Sequence, residues 1–242
     1  QTYQTTILPK LLQIILNAKE KISQQLETYK TFLQEQNAQM NLTRLDKDDI
    51  IWSKYFWQSI MVYHLVDFST VKTVLDVGSG SGIPGFIINN NVNTQNKNNK
   101  NIKLTVIEAS HKKCEFLEKL AKLLHLVNVE IICKRVEQTS KKHQFDLVTA
   151  KAVAPVEIIL ELLAPFAKSD GLVVVPKGIN YLKEVKDLNQ ELKQLSAKLL
   201  VVDHLVDDQI DFFTIYAKKT GKTNPKYPRD YKKIIKGFDY EK

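Results

Sequence analysis

No stretch of this 242-residue chain approaches the ~18 uncharged apolar residues that a membrane-spanning helix needs. Its opening residues, QTYQTTILPKLLQIILNAKEK, put no basic segment ahead of a short apolar run and offer no small-residue cleavage site, so no signal peptide is expected. Cysteine is almost missing. Cys114 and Cys133, 19 positions apart with no CxxC, exclude a disulfide scaffold or a thiolate zinc cluster, and a reducing cytoplasm is the expected compartment. The five histidines, His64, His111, His125, His143 and His204, form no cluster with metal-ligand spacing and complete no Ser/His/Asp order, so they read as structural or surface residues. Glycine is scarce too. There are eight, and four of them fall between Gly78 and Gly85.

What is present is ordinary in bulk: 43% hydrophobic and 26% charged residues, enough for one large domain or a core with an appendage. The charge is unevenly spread. The net is +8, yet Lys218 to Lys242 alone holds nine Lys or Arg against Asp230, Asp239 and Glu241. A concentrated basic segment suits a polyanion partner, because each neutralised phosphate releases counterions; a solubilising tail is the plainer reading.

The first seventy residues read as helix. Ile22, Leu26, Tyr29 and Leu33 recur at helical spacing, and a second segment from about Asp46 to Leu65 holds Ile50, Trp57, Ile60 and Met61. From Val71 short apolar runs alternate with helical patterns. Strands are expected at 71–77, 102–108, 129–133, 145–150 and 171–176, with a helix carrying Leu117, Leu120 and Leu124 between two of them. Such alternation means crossover units and a mostly parallel sheet covered on both faces. Runs 199–206 and 211–217, separated by four polar-rich residues, read as a hairpin that adds an antiparallel strand. Residues 89–101 are rich in Asn and cannot bury apolar area, so a surface loop without assigned function is expected there.

The glycine cluster, Asp76-Val77-Gly78-Ser79-Gly80-Ser81-Gly82-Ile83-Pro84-Gly85, follows a strand and opens a helical pattern. A plain turn needs one or two glycines. Four permit positive φ and let a ligand approach the backbone closely. Gly80 to Gly85 satisfies GxGxxG, the dinucleotide fingerprint, while Gly78 to Gly82 satisfies GxGxG with an acid two residues ahead. Asp76 favours the second frame. A carboxylate there would oppose a pyrophosphate but suits the ammonium and sulfonium of an amino-acid cofactor. Glu108 ends the next strand and is placed either to hold ribose hydroxyls or to cap the following helix.

The loop DVGSGSGIPG resembles motif I of S-adenosylmethionine-dependent methyltransferases, and in particular the glucose-inhibited division protein B family, guanine-N7 methyltransferases of small-subunit (16S) ribosomal RNA. The likeness spans most of the chain. Asn37 with Met40-Asn41-Leu42-Thr43 is similar to the family's N-terminal signature, Ile83-Pro84-Gly85 to its Leu-Pro-Gly, and Ile107-Glu108-Ala109-Ser110 to its ribose-acid segment. Arg135-Val136-Glu137 resembles the stretch that passes the adenine, Lys151-Ala152-Val153-Ala154 its Ser-Arg-Ala segment, and Lys177-Gly178 with the tail from Lys222 to Arg229 completes the series. There are departures: Tyr55 and Gln58 stand where the family has His and Asp, and Lys151 where it has Arg, which keeps the charge but loses the planar fork.

The resemblance implies an α/β, Rossmann-like class I methyltransferase. It would have a mostly parallel seven-stranded sheet with one antiparallel strand, an N-terminal helical cap over 1–70, a core over 71–218 and a basic tail over 219–242. S-Adenosylmethionine would be held by Asp76, Gly78, Gly80, Gly82, Ile83, Glu108, Val136, Glu137 and Lys151. The expected substrate is small-subunit ribosomal RNA or a 30S particle, met by a cytoplasmic monomer. Guanine N7 carries no proton, so placement against the sulfonium methyl would replace a general base. Lys222, Lys226, Arg229, Lys232 and Lys233, interleaved with Tyr227, Tyr231 and Phe238, are the RNA-binding candidates. Trp52, Tyr55, Phe56 and Trp57 read as core of the cap rather than as a stacking surface. A nicotinamide-dependent dehydrogenase and a non-catalytic RNA-binding protein are the alternative readings.

Overall fold

The computed structural model describes residues 3–7, 9–40, 42, 56, 58–89, 102–151, 154–178, 180, 188–206 and 211–237. Asn41, Thr43, most of the expected helix from Asp46, the aromatic residues Trp52, Tyr55 and Trp57, nearly all of the Asn-rich loop, Ala152, Val153 and Phe238 lie outside them.

Every expected strand forms. The sheet contains β2 (Thr73–Val77), β3 (Lys103–Ile107), β4 (Val129–Ile132), β5 (Phe145–Thr149), β6 (Ala167–Gly178), β7 (Ala197–Val206) and β8 (Asp211–Lys219). An eighth strand, β1 (Tyr3–Ile7), was not legible and pairs parallel with β7 from Tyr3↔Val202 to Ile7↔Val206. It lies at the edge, so its Tyr-Gln-Thr-Thr-Ile needs no buried-strand hydrophobicity. The seven-stranded expectation is corrected to eight, in the order β4-β3-β2-β5-β6-β8-β7-β1. As expected, β8 runs antiparallel to both of its neighbours.

Alternation along each central strand separates two cores. Val74, Leu104, Val106, Leu147 and Val174 face one layer, which holds α1 (Pro9–Met40), α2 (Gln58–Met61) and α3 (His111–Leu123). Leu75, Ile107, Val148, Val173 and Val175 face the other, with α4 (Val156–Leu163) and α5 (Leu188–Gln194). Strands covered on both faces read as near-continuous apolar runs, which is why 71–77 and 145–150 stood out in the sequence. In α3 the buried set is Cys114, Phe116, Leu117 and Leu120, stacked at helical spacing; Phe116 also stacks on Phe32 of α1 at 5.3 Å.

The cysteine expectation changes. Cys114 in α3 and Cys133 just beyond β4 have Cα atoms 6.0 Å apart and are joined as a disulfide. One staple is not a scaffold, but the two thiols are not free.

The tail is not a free arm. Thr223 is buried and its hydroxyl donates to Leu195 O at 2.9 Å, Lys142 Nζ donates to Pro225 O at 3.1 Å, and Ile234 of α6 (Tyr231–Lys236) is 1% exposed. These contacts bolt the tail to the face that carries α4 and α5.

Candidate active site

The switch point of the sheet lies beside β2, since β3 and β4 follow it on one side and the chain then crosses back to place β5 on its other side. In open α/β sheets ligands bind outside the carboxyl ends of strands at such a point. The glycine loop leaves β2 there. Gly80 has φ +57, a region closed to most side chains, and a Cβ added to it would meet nothing closer than 4.0 Å. Its N–H donates to Glu108 Oε2 at 2.9 Å, and the other Glu108 oxygen accepts Ser110 N–H at 2.9 Å. The residue preceding α3 at its N-cap is Ser110, so Glu108 is not that helix's cap. It ties the glycine loop to the end of β3 instead.

Asp76 takes a different role from the expected one. It is fully buried, and its Oδ2 accepts Gly85 N–H at 2.9 Å. A Cβ on Gly85 would lie 2.7 Å from that oxygen, so the absence of a side chain there is what lets the loop close on the carboxylate. Burial pushes Asp76 up to about 6, with Ser79 and the Gly85 N–H pulling the other way. Ser79 Oγ is near enough to favour the charge but outside good hydrogen-bond geometry, and it and Asp76 Oδ1 each lack a bonded partner. Asp76 thus shapes the loop from beneath.

The loop is also held from above, by a contact the sequence did not announce. Tyr29 of α1 donates its hydroxyl to Ser81 O and stacks on Phe56 at 5.0 Å. On the other flank the Tyr63 hydroxyl meets Thr149 Oγ1 at 2.6 Å, and Thr149 passes its own proton to Val174 O at 2.7 Å, so Tyr63 is the donor. Burial raises the Tyr63 pKa well above its ordinary value, which keeps that donor protonated.

A cleft of about 690 Å³ opens over the carboxyl edge, within the size range of small-molecule sites. Gly78, Gly80, Ile83 and Lys151, four of the expected cofactor-binding residues, line it. Lys113, Lys177, Phe212 and Asp211, which the sequence did not single out as a group, line it as well. Burial of its ammonium lowers Lys151 to about 8, while the residue as a whole is exposed. Lys177 is 7% exposed and donates to Ala154 O at 2.9 Å, joining the end of β6 to the segment after β5. Gly82 packs beneath Tyr29 and Phe86. Val136 and Glu137 sit in a single 3₁₀ turn beyond β4; Val136 is buried and Glu137 Oε1 is buried without a partner. Neither is among the residues that line the cleft.

The tail cations divide. Lys222, Lys226, Lys232 and Lys233 are exposed. Arg229 is instead engaged with Glu161 of α4, through Nε to Oε1 at 2.9 Å and Nη2 to Oε2 at 2.7 Å. Its expected place in an RNA contact is revised accordingly. Arg135, next to Val136, lies over the Tyr231 ring at 5.8 Å.

Residues 22–212 match the family model described as rRNA small subunit methyltransferase G (GidB). The chain belongs to this family. "Ribosomal RNA small subunit methyltransferase G" of Mycoplasma capricolum is 34% identical over 233 residues, covering 92% of this chain and 96% of that protein. The protein of the same name from Ureaplasma parvum is 37% identical over 216 residues, covering 87% and 97%. Among solved structures, a SAM-dependent methyltransferase from Aquifex aeolicus superposes with a TM-score of 0.51 at 18% identity, over 73% of this chain and 96% of that one. The last likeness confirms the fold alone. Family membership sets the dehydrogenase reading of the GxGxxG frame aside.

Proposed function

We propose that the protein transfers a methyl group from S-adenosylmethionine to N7 of a specific guanine in small-subunit (16S) ribosomal RNA. One observation carries the reading: in a chain of this family, an intact glycine loop held by Glu108 opens onto a cleft at the sheet's switch point. The fit is chemical as well. Glu137 Oε1 is a buried acceptor without a partner beside Val136, suited to an adenine amino group, and Glu108 can accept from ribose hydroxyls with its remaining lone pairs. Gly78, Gly80, Ile83 and Lys151 would line the methionine end, with Asp76 and Gly82 shaping the loop.

The cofactor, when bound, supplies an electrophilic methyl. The chain's part is to bind, orient and exclude water. Because N7 presents a lone pair at neutral pH, no side chain has to remove a proton, and in-line placement provides most of the rate. Tyr29 and Tyr63, on the helical side, hold the loop and the floor of the cleft in place. Residues 1–70 would serve as a cap that carries an added edge strand, 71–218 as the cofactor-binding core, and 219–242 as a docked basic segment. The substrate would be free RNA or the 30S particle, the protein a cytoplasmic monomer.

Incubation with methyl-labelled S-adenosylmethionine and small-subunit RNA, as free RNA and as 30S particles, followed by nucleoside analysis, tests this. Label in 7-methylguanosine at one position is the expected outcome. RNA binding without label transfer would favour a non-catalytic RNA-binding protein, and label in another nucleoside would refute the assignment of N7.

A further inference from the structure

Three lysines, Lys113, Lys151 and Lys177, line the cleft, as a site for a polyanion should show. Among its described lining residues Asp211 is the one acid. A carboxylate repels phosphate, so its presence calls for a donor-rich ligand surface.

Its place in the fold narrows which surface. Because β8 runs antiparallel to β6, its first residues lie at the same edge as the carboxyl ends of the parallel strands; Phe212 pairs with Gly178. β8 is three strands from β2, which at the usual spacing puts Asp211 about 14 Å across the sheet from the glycine loop. The side chain is also oriented. Asp211 Oδ1 is 2.6 Å from His204 Nε2, and the His204 ring stacks on Phe213 at 4.3 Å with planes 13° apart. The Asp211 side chain is 44% exposed, so the carboxylate is open to a ligand.

Guanine has two donors, N1–H and the 2-amino group, on the edge opposite N7. When N7 faces a methyl donor at the glycine loop, that donor edge faces away, toward β8. A carboxylate can accept both hydrogen bonds side by side, a geometry that adenine, cytosine and uracil do not offer. We propose that Asp211 reads the Watson–Crick edge of the target guanine and so sets base specificity, with His204 as a positioning residue behind it. This rests on the guanine-N7 reading above and adds the residue that selects the base.

The test compares small-subunit RNA carrying guanosine at the mapped target with the same RNA carrying inosine, which keeps N7 and N1–H but lacks the 2-amino group. For the unaltered protein kcat/KM should fall roughly tenfold or more on inosine, the loss of one hydrogen bond to a charged acceptor. Asp211→Ala and the shape-preserving Asp211→Asn should be slow on guanosine and treat the two RNAs nearly alike, with unchanged melting temperature and unchanged S-adenosylmethionine Kd by calorimetry. His204→Ala should narrow the guanosine-to-inosine ratio, which a merely structural role would leave alone. Variants that keep the original ratio would overturn the proposal, as would weakened cofactor binding with an intact ratio, which would put the carboxylate on the cofactor's ammonium. No 7-methylguanosine from the unaltered protein would instead overturn the functional reading itself, and this proposal with it.

Discussion

Replacing Arg229 with methionine isolates what the tail does for the fold. The Glu161 side chain is 3% exposed, and its two oxygens accept from Arg229 Nε and Nη2 as well as from the Arg229 backbone N–H at 2.9 Å. Arg229→Met keeps the backbone bond but leaves the carboxylate buried without its counter-ion. Breaking a buried pair from one side costs about 3–5 kcal/mol; the Arg229 side chain is 45% exposed, so water reaches this pair and the lower end, about 3 kcal/mol, applies. For a chain of this size that is a fall in Tm of roughly 6–12 °C.

The loss should depend on pH. Burial raises the nearby Glu191 carboxyl, the charges of Glu157 and Glu161 raise it further, and Arg229 opposes them. Without the guanidinium Glu191, already raised above its ordinary value, shifts up further, so the variant's stability falls as pH rises through that window. The deficit is therefore larger at pH 8 than at pH 5. Thermal scans and urea titrations at both pH values measure it, and Glu161→Met combined with Arg229→Met should recover most of the stability. An Arg229→Met protein that melts within 2 °C of the parent would refute the strap. One that melts normally but shows a shallower salt slope for RNA binding would return Arg229 to phosphate.

Asp76→Asn should gain stability at neutral pH. With a folded pKa of about 6 against an ordinary 3.8, Asp76 costs on the order of 3 kcal/mol above pH 6, a cost that builds up between pH 4 and 6 and then levels. Chemical denaturation of both proteins across pH 4–8 reads the difference, which should be flat if the carboxyl is unperturbed. Lys151→Arg should keep or improve methyl transfer and remove a loss of binding as pH rises through about 8, where the lysine gives up its proton; an unchanged pH profile would show that Lys151 does not meet the ligands. Glu108→Ala should raise the cofactor Kd at least tenfold, because ribose hydroxyls lose a charged acceptor and Gly80 N–H loses its tether; calorimetry giving the parent's Kd would remove Glu108 from the site.

Legibility followed burial. Strands β2, β3, β5 and β6 are covered on two faces and announce themselves as apolar runs, whereas β1 is an edge strand whose Tyr-Gln-Thr-Thr-Ile carries no such signal. The glycine loop and Glu108 were legible because one short segment concentrates the backbone freedom that close ligand approach requires. The other wall of the cleft was not. Tyr63 and Asp211 are far apart in sequence and line one cleft only because the helical layer and the antiparallel β8 converge on one edge. The ion pair of Arg229 with Glu161 was hidden for the same reason: in the sequence a tail arginine looks like one more surface cation, and only the fold puts a buried carboxylate beneath it.

That division between the tail's arginine and its lysines has a physical basis and bears on RNA binding. A guanidinium is weakly hydrated and offers a planar fork, so it suits a buried carboxylate; an ammonium is strongly hydrated and stays outside. The tail therefore uses Arg229 to attach itself and leaves Lys222, Lys226, Lys232 and Lys233 in solvent. An attached segment differs from a free arm in what its charges can do. A free arm raises affinity wherever phosphate is present, while lysines fixed to a rigid body hold the phosphates at a set place relative to it. Here the fixed place adjoins the turn proposed to meet the adenine, because Tyr231 sits against Arg135 and Arg135 precedes Val136. Phosphate contacts made by these lysines would thus help register the RNA against the cleft, and base selection could be left to the residues inside it.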